Sequence, residues 1–207
     1  AATVMLVRDT AEQDGIEVFM LRRTLQAAFA GGMYVFPGGR LDDVDHGPAM
    51  EAMCDDLSDL RASELLQIEQ GGLAYWVAAI RECFEEAGVL LARSAHTGHE
   101  IRFDEADVID RFSAARHLVH DGSLDLIELC QREGLRLMTD AIFYTAHWVT
   151  PMGETRRFDT RFFLARAPHA QEPLHDDSET IASLWVRPTV ALERERAGEL
   201  MMLPPTI

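Results

Sequence analysis

The chain has 207 residues, 47% of them apolar and 26% charged, a composition that suits one globular domain able to bury its own core. Its formal charge of −16, with arginine as the only basic residue besides histidine, disfavours nucleic acid and anionic membranes as partners. No apolar run reaches the roughly 20 residues that span a bilayer. Cys54, Cys83 and Cys130 are an odd set without CxxC spacing, which argues against a disulfide framework or a zinc site. That usage suits a reducing compartment, and the opening AATVMLVRDT carries no basic n-region or cleavage site, so a cytoplasmic protein is expected.

In chain order, TVMLVRD (3–9) and IEVFMLRR (16–23) are β-branched apolar runs around a polar turn, which predicts a hairpin. AAFAGGMYVFPGGRLDD (27–43) reads as a short strand bracketed by glycines. Residues 44–70 are acidic, with Met50, Met53, Leu57 and Leu60 at helical spacing, and predict an inserted helical segment. Residues 72–87 form the clearest helix, closed by Gly88. Two helical patterns fill 103–134, strands are expected at 140–151, 157–168 and 180–188, and a last helix at about 189–199. Repeats, low-complexity tracts and an interdomain linker are absent from the sequence, so 1–207 reads as a single α/β or α+β domain.

The helix at 72–87 carries the chemistry. At 100° per residue, Leu73, Trp76, Val77, Ile80, Phe84 and Ala87 fall on one stripe, while Glu82, Glu85 and Glu86 share the opposite side. A charge run of this kind is ordinarily a solvated face. Two features oppose that here. Glu82 and Glu86 are like charges at i,i+4 with no cation at the usual compensating position, and the rest of their face is Tyr75, Ala78 and Ala79. A covered face of carboxylates calls for a cation, and oxygen-only ligands suit Mg²⁺ or Mn²⁺.

RECFEEAG (81–88) resembles the RExxEExG core of the Nudix box, the signature of hydrolases acting on nucleoside diphosphates linked to another group. The box's usual glycine is matched by Gly39 in FPGGR, 42 residues before Arg81, so the box reads as split by the acidic segment. A split box after FPGGRLD resembles the Nudix 19-like branch, linked to CoA and acyl-CoA diphosphatase activity. Upstream, Leu21, Arg23, Thr24, Gly32 and Phe36-Pro37-Gly38-Gly39 match the CoA-directed pattern in register, whereas Ala28 stands where that pattern has a second arginine. HWVTPMGETRRFDTRFFLA (147–165) is similar to the same branch.

The resemblance implies a Nudix α/β/α sandwich with a mixed sheet, a helical insert at about 44–70, and a CoA or acyl-CoA substrate. It implies Glu82, Glu85 and Glu86, with Gly39, as ligands of Mg²⁺ or Mn²⁺, and Gly38 and Gly39 as a close backbone approach to phosphate. Arg81 is expected to orient a glutamate. Glu179, six residues before Trp185 in ETIASLWV, is a candidate general base. Arg23, Arg156, Arg157 and Arg161 are candidates for gripping substrate phosphates. The insert reads as a peripheral elaboration or homodimer contact, with a cap over an acyl chain, through Met50, Met53 and Leu57, as the alternative. A pyrophosphatase for ADP-ribose or NADH, and a nucleotide-binding regulator that cuts nothing, are the rival functions. His96 and His99 read as loop residues and Cys83 as a small core residue.

Overall fold

The computed structural model describes residues 1–27, 30–153, 157–175 and 179–207. Along the chain lie β1 (Ala2–Asp9), β2 (Ile16–Arg23), β3 (Tyr34–Val35), β4 (Gly38–Gly39), a 3₁₀ turn (Asp43–Asp45), α1 (Pro48–Glu51), α2 (Asp59–Leu66) and α3 (Leu73–Ala87). There follow β5 (Ala92–Ser94), α4 (Ala106–His120), α5 (Leu126–Glu133), β6 (Leu135–Leu137), β7 (Ile142–Val149), β8 (Asp159–Arg166), β9 (Thr180–Val186) and α6 (Pro188–Arg196). None of the described helices is long and apolar enough to cross a membrane.

The predicted hairpin forms, but β1 and β2 pair only near their turn, from Val7–Val18 to Asp9–Ile16. Beyond that the two strands part, and the glycine-bracketed stretch runs into the fork. There β3 pairs with the end of β2 and β4 with the start of β1, while Val4 N–H donates to the Pro37 carbonyl at 2.9 Å. A Cβ on Gly38 would collide with the Ala2 carbonyl and Thr3, so only glycine fits against β1 here. On its other edge β1 runs parallel to β8, with Ala2 opposite Arg161. β7 closes that side antiparallel to β8, and β9 lies antiparallel to β2. The sheet is therefore mixed, as expected.

Both of its faces are covered. Val4, Leu6, Phe19, Leu21 and Phe163 point toward α3, and the alternate positions Val18, Met20, Phe162 and Val186 pack with Ala191 of α6 and with Leu200. α3 seats its predicted stripe on the sheet: Trp76 lies edge-on to Phe163 at 4.7 Å and donates its indole N–H to the Ile142 carbonyl. Gly88, at φ +68°, ends the helix in the left-handed conformation glycine tolerates.

The insert is helical as expected, in two short helices, α1 and α2. Met50 is fully buried and Met53 and Leu57 pack against the core, but Leu60 is 71% exposed on α2. The helical spacing is broken because the backbone between α1 and α2 bonds to β6 instead: Asp55 N–H donates to Leu137 O and Leu137 N–H to Met53 O. Of the three apolar side chains, Met50 is committed to the core, while Met53 and Leu57 are partly buried against it. α2 also caps α3. Asp59 accepts from the N–H groups of Gly71 and Leu73, each at 3.0 Å, and Ser63 Oγ from Gly72 N–H at 2.9 Å. These satisfy amides at the helix start that have no partner within the helix.

Candidate active site

Arg81 joins the two halves of the split motif. It is 5% exposed, and its Nε and Nη2 donate to the two oxygens of the fully buried Asp45 at 2.9 and 3.0 Å. Nη2 also reaches the Arg40 carbonyl at 2.8 Å, while Nη1 donates to Glu85 at 2.9 Å and Glu82 at 3.1 Å. Burial alone would lower the Arg81 pKa, but the Asp45 carboxylate and the two glutamates raise it above the ordinary value. Arg81 thus orients two glutamates, and the like charges of the helix face are less bare than their spacing predicts. A long side chain starting on a neighbouring helical position bends back to bridge i+1 and i+4.

Glu86, 4% exposed, accepts the Gly38 N–H at 2.9 Å. Gly39 lies so close to Glu82 that a Cβ there would fall on the carboxylate. The diglycine strand therefore closes over the glutamate face. Its burial has an electrostatic cost, because a charged carboxylate loses its water. Burial first, then repulsion from Glu85, pushes Glu82 up to about 7 despite the attraction of Arg81. Glu85 is raised by burial against the pull of Arg81. Burial and then the Glu82 charge push Glu86 well above the carboxylate range, with Glu179 adding to the push and the Gly38 N–H and Arg23 opposing it.

Glu179 and Arg23 are brought to this cluster from opposite ends of the sequence. The β2–β9 register shifts between Arg22 and Arg23, a bulge that re-aims the arginine. Thr24 N–H donates to the Glu179 carbonyl, and the Arg23 guanidinium stands 3.7 Å from a Glu179 carboxylate that is 51% exposed. Arg157 is placed differently: it is exposed and donates to the Thr150 carbonyl within the β7–β8 connection. Arg161 is buried, paired with Asp159 and His147, and lies over the Tyr75 ring at 5.2 Å. Ala28 and Arg156 lie outside the described residues. His96 and His99 sit in the exposed turn after β5, and Cys83 is fully buried.

Three residues escaped sequence reasoning. Asp45 read as one acid in an acidic insert; its spacing from FPGG gave no sign that it anchors Arg81. On α4, Arg116 donates to the carbonyls of Glu85 and Glu86, and His120 stands 3.7 Å from the Glu85 carboxylate. A helix far along the chain offers no local pattern that links it to α3. A cleft of about 240 Å³ opens beside Arg81 and Glu85, walled by Asp42, Val44, His120 and Leu126.

As a metal site the cluster fits by chemistry rather than by ready-made coordination. Its donors are all oxygen, they share one helical face, and burial holds them in a charge-averse setting that a divalent cation would relieve. Among the described residues no three acidic, histidine or cysteine side chains converge on a single point, since Glu82 and Glu85 turn to Arg81 and Glu86 to Gly38.

A mixed sheet between helices, with a glutamate-bearing helix closed by a diglycine strand, defines a protein of the Nudix hydrolase class. The crystal structure of a NUDIX hydrolase from Alicyclobacillus acidocaldarius superposes with a TM-score of 0.79 at 29% identity, covering 100% of this chain and 86% of that one. The family described as NUDT19 Nudix domain matches residues 61–207, and the chain belongs to that family. It is 27% identical to the acyl-coenzyme A diphosphatase NUDT19 of Xenopus laevis over 91% of its length. The human protein of the same name is 26% identical over 93%, and the putative nudix hydrolase 7 of Caenorhabditis elegans 27% over 100%. The chain spans 57%, 59% and 57% of those three relatives, respectively.

Proposed function

We propose that this domain is a divalent-cation-dependent diphosphatase that splits CoA or acyl-CoA within the diphosphate, giving 3′,5′-ADP and 4′-phosphopantetheine or its acyl derivative. The observation that carries the reading is the closure of Gly38 and Gly39 onto Glu86 and Glu82. It reunites a motif that the sequence divides, and it covers Glu82 and the buried Glu86, carboxylates that packing alone gives no reason to keep. The CoA substrate is favoured by the names of the relatives and by the Arg23-to-Gly39 pattern; the three buried, unpaired cysteines suit a cytoplasmic setting.

Gly39, Glu82, Glu85 and Glu86 would hold Mg²⁺ or Mn²⁺, which when bound supplies charge neutralisation at the phosphate oxygens and acidifies water. The chain's own residues do the rest. Arg81, locked by Asp45, holds the Glu82 and Glu85 carboxylates in place. Arg23, partly buried beside Glu86, presents a guanidinium that can fork onto a phosphate. Glu179 is half-exposed at the edge of the cluster, where it can accept a proton from an attacking water. Arg157 and Arg161 are kept as phosphate contacts only if substrate draws them from Thr150 and Asp159.

The test is to incubate the pure protein with Mg²⁺ or Mn²⁺ and equal amounts of CoA, acetyl-CoA, ADP-ribose and NADH. Release of 3′,5′-ADP from the first two is expected. AMP from the latter pair with CoA untouched would overturn the substrate, and no turnover of any would leave a nucleotide-binding regulator.

A further inference from the structure

The cleft of about 240 Å³ lies at the Glu85 end of the glutamate face. That is less than the roughly 300–1,000 Å³ of pockets that enclose a whole drug-sized ligand, so it can take one part of a molecule as long as CoA. Its floor is apolar, made by the buried core side chains Val119, Leu124 and Leu126, and Val44 lines it from the 3₁₀ turn beside Asp45. Its polar lining is acidic. Asp42, Glu85, Asp121 and Asp125 contribute four carboxylates, against His120 and an Arg81 already committed to Asp45 and the glutamates. The turn that carries two of these aspartates is braced: Gly122 N–H donates to the Val119 carbonyl at 3.1 Å, Ser123 N–H to Asp121 at 2.9 Å and Leu124 N–H to the Leu118 carbonyl at 3.0 Å. Asp125 stands at the N-cap of α5, yet its side chain accepts no helix N–H, which leaves its oxygens open to another donor. The glutamate face thus has two unlike ends, with Arg23 near Glu86 and with Asp42 and His120 near Glu85.

From this geometry we propose that the cleft is the subsite for the pantetheine arm of the substrate and excludes the 3′,5′-ADP half. The inference rests on the diphosphatase reading and adds to it which half of the substrate lies where. CoA has one strongly anionic half and one neutral one. A phosphate monoester such as its 3′-phosphate carries about −1.5 to −2 charges near neutral pH, and the four carboxylates would repel it. The pantetheine arm has no charge. Its two amide N–H groups and its hydroxyl are donors, which suits carboxylates that can only accept, and its dimethyl segment suits the apolar floor.

The experiment titrates the full chain, with Mn²⁺ present, against 4′-phosphopantetheine and 3′,5′-ADP by calorimetry, and reads KM for CoA alongside. Val44→Trp, which fills the cleft, should weaken 4′-phosphopantetheine binding and raise KM for CoA by at least ~10-fold, while 3′,5′-ADP binding stays within about twofold. Asp125→Ala, which removes an acceptor and no cap hydrogen bond, should weaken 4′-phosphopantetheine by about 3- to 10-fold and leave 3′,5′-ADP unchanged. Selective loss of 3′,5′-ADP binding would put the nucleotide half in the cleft and overturn the proposal. Equal weakening of both products, no change in either, or failure of 4′-phosphopantetheine to bind the wild-type protein would overturn it too. If Val44→Trp does not fold, the exposed Asp125→Ala carries the same two titrations. Should the wild-type protein hydrolyse none of the nucleotides, the diphosphatase reading fails, while the titrations still decide what the cleft holds.

Discussion

Glu86 shows how much a single residue can carry. It is buried, it accepts one backbone N–H, and its carboxyl is held far above the usual range by the loss of water around it. Nothing in the packing of α3 needs a carboxylate at that position, since the stripe from Leu73 to Ala87 already seats the helix. Glu86→Gln keeps the shape and removes the charge. Turnover is expected to fall at least ~10²-fold while folding survives. In the wild-type protein saturating Mn²⁺ should raise Tm, since a ligand bound only to the folded state stabilises it by mass action. In Glu86→Gln most of that shift should disappear. Near-normal turnover with an intact metal-dependent Tm shift would remove Glu86 from the metal site. The three glutamates and the diglycine were legible in the sequence because residue type and spacing are local. Asp45 and Arg116 were not, because a buried partner is recognised only by what the fold lays beside it.

Among the elements, α3 was the easiest to read and the insert the hardest. A 15-residue helix repeats its apolar stripe often enough to fix its period and face. β3 and β4 have two residues each, too few to alternate, and exist only because β1 and β2 separate. The insert is helical as its spacing predicts, but its division into two short helices was not legible, because the residues between them bond to β6. What the insert supplies instead is the start of α3. α3 has Gly72 at its N-cap and no side-chain cap of its own, so Asp59 and Ser63 serve from outside. Asp59→Ala should lower stability by about 1–2 kcal/mol, the range for losing a helix cap. Denaturant unfolding read as a shift in midpoint at constant m-value checks this, and an unchanged midpoint would show the cap to be idle.

For the molecule as a whole, the class followed from interleaved strand and helix patterns and the layers from the family resemblance, but sheet order from neither. The parallel pairing of β1 with β8 joins Ala2 to Arg161, and no local signal marks two runs so far apart as neighbours. Distance in sequence likewise separates the parts of the candidate site, Arg23, the diglycine, α3 and Glu179. Family membership and a TM-score of 0.79 to a solved Nudix hydrolase agree with the fold.

The cap that α2 places on α3 bears on the order in which this chain folds. Asp59 and Leu73 are 14 residues apart, whereas Gly38 and Glu86 are 48 apart and the partners Ala2 and Arg161 farther still. Closing the short loop costs less chain entropy, so the α2–α3 pair is set to dock first, carrying its glutamates outward before the diglycine strand arrives. The insert that interrupts the motif in sequence then becomes early in folding. Substitutions at Asp59 and Ser63 should slow folding, and Gly38→Ala should mainly speed unfolding; the reverse partition between the two rates would refute that order.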